Sequence, residues 1–357
     1  MYQYRHGGDV YDENGVLDGD VLDFSANINP LGMPDGVMAS ARRSLAHSNI
    51  YPDANCRSLT SRLAEFEGID QGSIICANGA SDILFRLVYA LKPRKILITA
   101  PSFTDYERAG TATGAEIAYY PLKKENGFMI DEKITEAILA ASPDIVFIGN
   151  PNNPTGALAE RILMEKIATA CQSVKARMLA DECFMDFVGG GQMFSVKPLI
   201  NKYQNIVLLK SFTKIFAIPG LRLGYAVCGD EEIIEALRFH GPDWAVSNVA
   251  IAAGEAALKK AKAFMESTAE YITEERMAMA AGLERMGLTV YPSRANFILF
   301  RDEANHDLYG ALCKKGFRLR DCANFRGLGL GYFRAAVLTE EKNRRLIQAI
   351  AGVIKNE

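Results

Sequence analysis

The chain has 357 residues, 49% hydrophobic and 23% charged, which at roughly 150 residues per domain predicts about two domains, each able to bury a core. Forty Lys plus Arg against 43 Asp plus Glu leave a net charge of −3, so there is no basic excess for a nucleic-acid footprint and any anion site must be local. The seven cysteines are an odd number without a CxxC pair, which argues against a disulfide framework and against a zinc site, so no metal is expected.

The first residues, Met1 to Gly8, hold no apolar signal core, and no stretch approaches the ~18 apolar residues of a membrane span. The sequence therefore reads as cytoplasmic, with no membrane partner. Residues 1–45, rich in Gly, Pro and Asn, read as irregular, a kind of segment that persists when it packs over something functional. From about 70 to 230, short apolar runs alternate with amphipathic helical stretches, the pattern of an α/β domain with a mostly parallel sheet. The predicted strands are 95–99, 144–148, 176–180, 205–209 and 223–227. Each ends in polar residues, and in open α/β sheets ligands bind beyond the carboxyl ends of the strands. Residues 247–286, Ala-rich and free of proline, predict one bent helix or two consecutive ones leading to a second domain. Strands at 295–300 and 332–337 and a final helix over 340–354 follow. The expected division is a 1–45 segment packing with the small domain, a large domain over 46–245 and a small domain over 246–357.

The most informative stretch runs from Leu208 through Ser211, Thr213 and Lys214 to Gly220-Leu221-Arg222-Leu223-Gly224. Hydroxyls with an arginine make a phosphate cradle, and a partly desolvated lysine beside it can attack a carbonyl. At other strand ends lie Asn150-Pro151-Asn152-Asn153-Pro154-Thr155-Gly156, a rigid polar loop, and Asp181-Glu182. Asn78-Gly79-Ala80-Ser81-Asp82 opens a helix whose free N–H groups suit a phosphate. Any one of these features alone is ordinary; a turn, a cap or a solvated charge would account for it.

Their joint order, NGAS, PSF, NPNNPTG, DE, SFTK and GLRLG, resembles that of the fold type I pyridoxal-phosphate enzymes, the aspartate aminotransferase superfamily of class I/II, over nearly the whole chain. The resemblance implies a three-layer large domain with a mainly parallel sheet, a smaller α+β domain, a homodimer and pyridoxal 5'-phosphate as cofactor. It makes Lys214 the Schiff-base lysine and proton shuttle, pairs Asp181 with the pyridine nitrogen, gives the phenolic oxygen a hydrogen bond from Asn153 and stacks Phe103 on the ring. Gly79, Ala80, Ser81, Ser211, Thr213 and Arg222 would bind the cofactor phosphate, joined by Tyr51 from the other subunit. One departure stands out: many relatives have a tyrosine three residues after the aspartate, and this chain has Phe184.

Arg334 matches the arginine that clamps a substrate α-carboxylate, and Arg320 is similar to the one used for a substrate phosphate by histidinol-phosphate aminotransferases. A narrower resemblance, to the threonine-phosphate decarboxylases of cobalamin biosynthesis, rests on His6-Gly7-Gly8, on 22–32 with Asn27, on 181–187 with Phe184 and on 320–328. It implies a small phosphorylated amino acid as substrate, with Asn27 and His6 helping to bind it. No roles follow for Arg161 and Arg326. A dinucleotide-dependent oxidoreductase is disfavoured because no G-x-G-x-x-G follows a strand.

Overall fold

The computed structural model describes residues 6–11, 14–304 and 307–355; Met1 to Arg5 of the N-terminal segment lie outside them. In chain order come β1 Leu22–Asp23, α1 Val37–Ser44, α2 Arg57–Glu67, β2 Ile74–Ala77, α3 Ala80–Leu91, β3 Lys95–Ala100, α4 Thr104–Ala112, β4 Glu116–Pro121, α5 Lys133–Ala141 and β5 Ile145–Gly149. Next are α6 Arg161–Ser173, β6 Arg177–Asp181, β7 Ile206–Ser211, the single turn α7 Phe212–Ile215, β8 Gly224–Cys228, α8 Glu231–Phe239, α9 Asn248–Leu258 and α10 Ala261–Glu284. The chain closes with β9 Thr289–Val290, β10 Phe297–Arg301, α11 Leu308–Lys314, β11 Phe317–Arg318, β12 Arg320–Asp321, β13 Tyr332–Ala336 and α12 Glu340–Ile354.

Seven strands form the main sheet in the order β2-β8-β7-β6-β5-β3-β4, parallel except for β8, which runs antiparallel to both neighbours. Every residue of β5 and β7 is buried, as expected of strands covered by helices on both faces. The covering helices carry one apolar stripe each: Met164, Ile167, Ala168 and Cys171 of α6 are buried at helical spacing. The smaller antiparallel sheet has the order β12-β13-β10-β9. α9 and α10 are two consecutive helices, and α12 spans the expected residues.

Three expectations need correction. The first 45 residues are not irregular throughout, since β1 pairs in parallel with β11 and α1 packs on α9. α1 escapes detection because only Val37 and Ala41 are buried and it begins after Gly36 in a left-handed conformation, without a side-chain cap. Strands β2 and β4 were not expected: β2 has four residues, and β4 is only half-buried and ends on proline. The central strands run further toward their carboxyl ends than predicted, β5 and β6 by one residue and β7 by two, so that Asp181 and Ser211 are themselves the last strand residues. No helix among the described residues is long and apolar enough to cross a membrane.

Phe147 of β5 is fully buried, 5.3 Å ring to ring from Tyr106. Phe147→Ala is expected to cost about 3–5 kcal/mol of stability, read as a lower urea midpoint with the cofactor concentration held constant.

Candidate active site

The adjacent parallel strands β5, β6 and β7 deliver three polar segments to one edge of the sheet, at their carboxyl ends. β5 leads into Asn150–Gly156, β6 ends on Asp181, and β7 ends on Ser211, whose Oγ caps the α7 turn by accepting from Thr213 N at 3.3 Å. That turn carries Lys214, half-buried, with Nζ 3.4 Å from Ser211 Oγ. A cleft opens here, lined among others by Ala80, Ser81, Phe103, Asn153, Asp181 and Lys214.

At one end of the cleft the chain turns at Gly79, with φ of +83°, into α3, whose first turn has no side-chain cap. Its N–H groups and helix dipole suit an anion. A Cβ on Gly79 would lie 2.6 Å from Arg222 Nη2, so glycine is what admits the guanidinium to that turn. Arg222 is exposed, and its Nη1 donates to Pro219 O at 3.2 Å. Ser211 Oγ and Thr213 Oγ1 are 2.7 Å apart. Helix N-terminus, hydroxyls and arginine together suit a phosphate.

In the middle of the cleft, Asp181 Oδ2 accepts from Tyr106 Oη at 2.7 Å and Oδ1 from Cys183 N at 3.0 Å. Burial, reinforced by the Asp181 charge, pushes the Tyr106 phenol well above its ordinary value, so it stays a donor. Burial likewise keeps the Cys183 thiol neutral. Phe184 forms part of the wall, packed edge-on against Phe297 at 5.0 Å, with Lys214 Nζ 5.9 Å from its ring centre. A phenylalanine here offers no hydrogen bond to a ligand.

At the other end, Arg334 from β13 is buried and donates to Asn153 Oδ1 and Ser25 O, while its Nε has no hydrogen-bond partner among the described residues. Burial pushes its pKa down to about 10, which leaves it cationic at neutral pH. The antiparallel pairing of β12 with β13 sets Arg320 directly opposite Arg334, where side chains of an antiparallel pair lie closest. Arg320 is also buried; Nη2 donates to Asn324 Oδ1 at 2.9 Å, Nη1 to Asp321 O, and the guanidinium lies 4.9 Å from the Phe325 ring centre.

Other expected residues are placed differently. Tyr51 does not line the cleft of its own chain; it is exposed and stacked on Trp244 at 4.4 Å. His6 is exposed, 5.7 Å ring to ring from Phe103. Asn27 is buried, its backbone oxygen accepting from Asn296 Nδ2 at 3.0 Å and its Oδ1 without a hydrogen-bond partner among the described residues. Arg161 donates to Gln192 O at 3.3 Å, and Arg326 to Glu107 Oε1 at 3.1 Å.

Sequence reasoning missed three residues that hold the site. Tyr106 follows Phe103 by one helical turn, a spacing that could have suggested a shared target. Asn29 receives a bond at its oxygen from Leu31 N and ties Ile215 O to Thr268 Oγ1 through Nδ2, fixing the Lys214 turn against α10. Asn152 Nδ2 bonds Pro101 O and Thr155 Oγ1, joining the polar loop to the Phe103 turn. Neither asparagine has a local signal that separates it from an ordinary turn residue.

The family model for aminotransferase class I and II matches residues 19–350. The chain is 36% identical to a threonine-phosphate decarboxylase of Salmonella typhimurium, over 99% of this chain and 98% of that one. It is 31% identical to a histidinol-phosphate aminotransferase of Symbiobacterium thermophilum, over 97% and 93%. The crystal structure of the histidinol-phosphate aminotransferase from Clostridium acetobutylicum superposes with a TM-score of 0.88 at 30% identity, covering 94% of this chain and 100% of that one. The chain belongs to the class I and II aminotransferase family, and its cofactor is pyridoxal phosphate. The residues present fit that group: an anion cradle completed by the Gly79–Arg222 approach, a carboxylate at mid-cleft and a half-buried lysine facing both.

Gly79→Ala places a methyl against Arg222 at a positive φ, and is expected to weaken retention of pyridoxal phosphate at least ~10-fold with an unchanged far-ultraviolet spectrum; equilibrium dialysis measures it. Tyr106→Phe leaves a half-buried carboxylate oxygen without its donor and is expected to weaken cofactor binding by about 1–3 kcal/mol, read in the same dialysis.

Proposed function

We propose that this protein is a pyridoxal-phosphate-dependent lyase that decarboxylates O-phospho-L-threonine to (R)-1-aminopropan-2-yl phosphate, a step of cobalamin biosynthesis. The observation that carries this reading is the facing pair of buried arginines, Arg320 and Arg334. Two guanidiniums on one face repel each other unless anions separate them, and an amino acid bearing both a carboxylate and a phosphate satisfies both at once. The near full-length identity to a threonine-phosphate decarboxylase supports it. The second reading is an aminotransferase acting on histidinol phosphate, favoured by the 31% identity to such an enzyme. That substrate has no carboxylate, so it would leave Arg334 without an anion in its half-reaction.

Pyridoxal phosphate, when bound, supplies an electron sink for whichever bond to the substrate α-carbon stands perpendicular to its ring. Gly79, Ala80, Ser81, Ser211, Thr213 and Arg222 would hold its phosphate, Phe103 would stack on the ring, Asn153 would bond its phenolic oxygen and Asp181 would keep its nitrogen protonated. Arg334 would take the substrate carboxylate in a bidentate grip and, with Arg320 and His6 on the phosphate and Asn27 beside them, would orient the carboxylate as the bond to be broken. When CO2 leaves, the bonding electrons stay with the α-carbon, and Lys214 Nζ delivers the proton that it needs. Phe184 packs against the site without the hydrogen bond of a tyrosine.

The protein acts as a homodimer in the cytoplasm, with Tyr51 of each chain serving the other subunit's cofactor phosphate. The exposed Tyr51–Trp244 stack and the free cysteines support this. Residues 1–45 work with the small domain, 246–357, against the large domain, 46–245; the β1–β11 pairing supports that division.

The deciding assay supplies O-phospho-L-threonine alone, then histidinol phosphate with 2-oxoglutarate, and follows CO2 and glutamate. CO2 without glutamate is expected; glutamate without CO2 rejects the lyase. Lys214→Ala is expected to remove both the yellow colour of the lysine-bound cofactor and turnover. Arg334→Ala removes one side of a charge-assisted pair worth about 2–5 kcal/mol, so kcat/KM is expected to fall at least ~30-fold.

A further inference from the structure

His6 stands 5.7 Å ring to ring from Phe103, which lines the cleft, and residues 6–8 are held at both ends. At one end Gly7 abuts Ser25 so closely that a Cβ would fall 2.2 Å from Ser25 O, which only glycine permits. Gly8 N donates to Ser25 Oγ at 2.8 Å, and Ser25 Oγ to Asp23 Oδ1 at 2.6 Å. At the other end His6 Nε2 meets Asp105 Oδ1 at 3.1 Å. Asp105, in the first turn of α4, is buried. Its Oδ2 takes a long bond of 3.4 Å from Ser81 Oγ, and its Oδ1 makes no aligned hydrogen bond among the described residues. The basic groups beside Oδ1 are His6 Nε2 and Arg108 Nη1, the latter at 3.7 Å.

A buried carboxylate next to Ser81 stands close to the cofactor-phosphate end, where its charge opposes the phosphate. It therefore contributes nothing to holding that anion. What it can do is hold a basic group, and the geometry points to His6. We propose that Asp105 is a positioning residue: it docks residues 6–8 as a strap over the cleft and aims His6 at the phosphorylated end of the substrate, the second half of this resting on the lyase reading above. The strap is coupled to the carboxylate grip, because the Ser25 that anchors Gly7 and Gly8 also offers its backbone oxygen to Arg334. A substrate carboxylate that draws Arg334 away from Ser25 O acts on the strap's anchor.

Docking is tested without turnover, by hydrogen exchange of the N-terminal peptide in the substrate-free holoenzyme. Asp105→Asn and Gly7→Ala are each expected to speed exchange over residues 6–10 about tenfold while the rest of the protein is unchanged. Wild-type exchange in either variant overturns the docking; Gly7→Ala, which removes no buried charge, keeps the test open if Asp105→Asn does not fold. Positioning is tested by steady-state kinetics on O-phospho-L-threonine. Asp105→Asn is expected to raise KM about tenfold with kcat within about twofold, and His6→Gln added to it to change nothing further. A fall in kcat at constant KM, or additive effects of the two substitutions, overturns the positioning role. A wild-type enzyme that releases no CO2 overturns the lyase reading and the aiming of His6 with it, while the exchange result still decides the strap.

Discussion

A single buried guanidinium joins the parts from which the site is made. Arg334 sits on the small sheet, bonds Asn153 from the loop after β5 and bonds the backbone of Ser25, 309 residues away in sequence. Burying a charge is unfavourable unless it is paired and hydrogen-bonded. Here the pairing is incomplete: its acceptors are an amide and a peptide oxygen, its Nε lacks a partner among the described residues, and Arg320 faces it across the strand pair. The arrangement brings the three segments together and leaves the cation free to gain from an incoming carboxylate.

The first turn of α4 is a second junction. Phe103, preceding the helix, lines the cleft; Asp105 meets His6, Tyr106 bonds Asp181, and Glu107 bonds Arg326, which lies 4.1 Å from the Tyr119 ring centre. Four residues at this helix start thus reach the cleft, His6, the central carboxylate and the loop between β12 and β13. A shift of this turn would be felt at all four.

Beneath the cleft the strands alternate. Asp181 and Ser211 face the ligand side, so Glu182 and Lys210 face the other. There Lys210 bonds Asp186 at 2.6 Å, Glu182 accepts from Ser195 Oγ at 2.6 Å and Val196 N at 2.7 Å, and Lys197 meets Glu67 at 2.9 Å. Burial pushes the Lys210 ammonium down, but Asp186, Glu67 and Glu182 outweigh it and hold it up. Burial raises the Glu182 carboxyl, against the pull of Lys210. This polar cluster pins the segment after Asp181 to the strand that carries the Lys214 turn, giving the reacting groups a fixed floor.

The sequence by itself determined the alternation of strands and helices, and the strand-end segments 150–156, Asp181 and 211–214, because each is a local run whose turn chemistry and polarity are readable residue by residue. The near-zero net charge also implied that any anion site would be local. Only the tertiary structure decided that Tyr106 bonds Asp181, that Arg320 stands opposite Arg334, that Asp105 meets His6 and that Tyr51 stacks on Trp244. These are matters of strand register and of close approach between distant segments. They are fixed by packing that involves the whole chain, whereas a local run carries information only about its own neighbours.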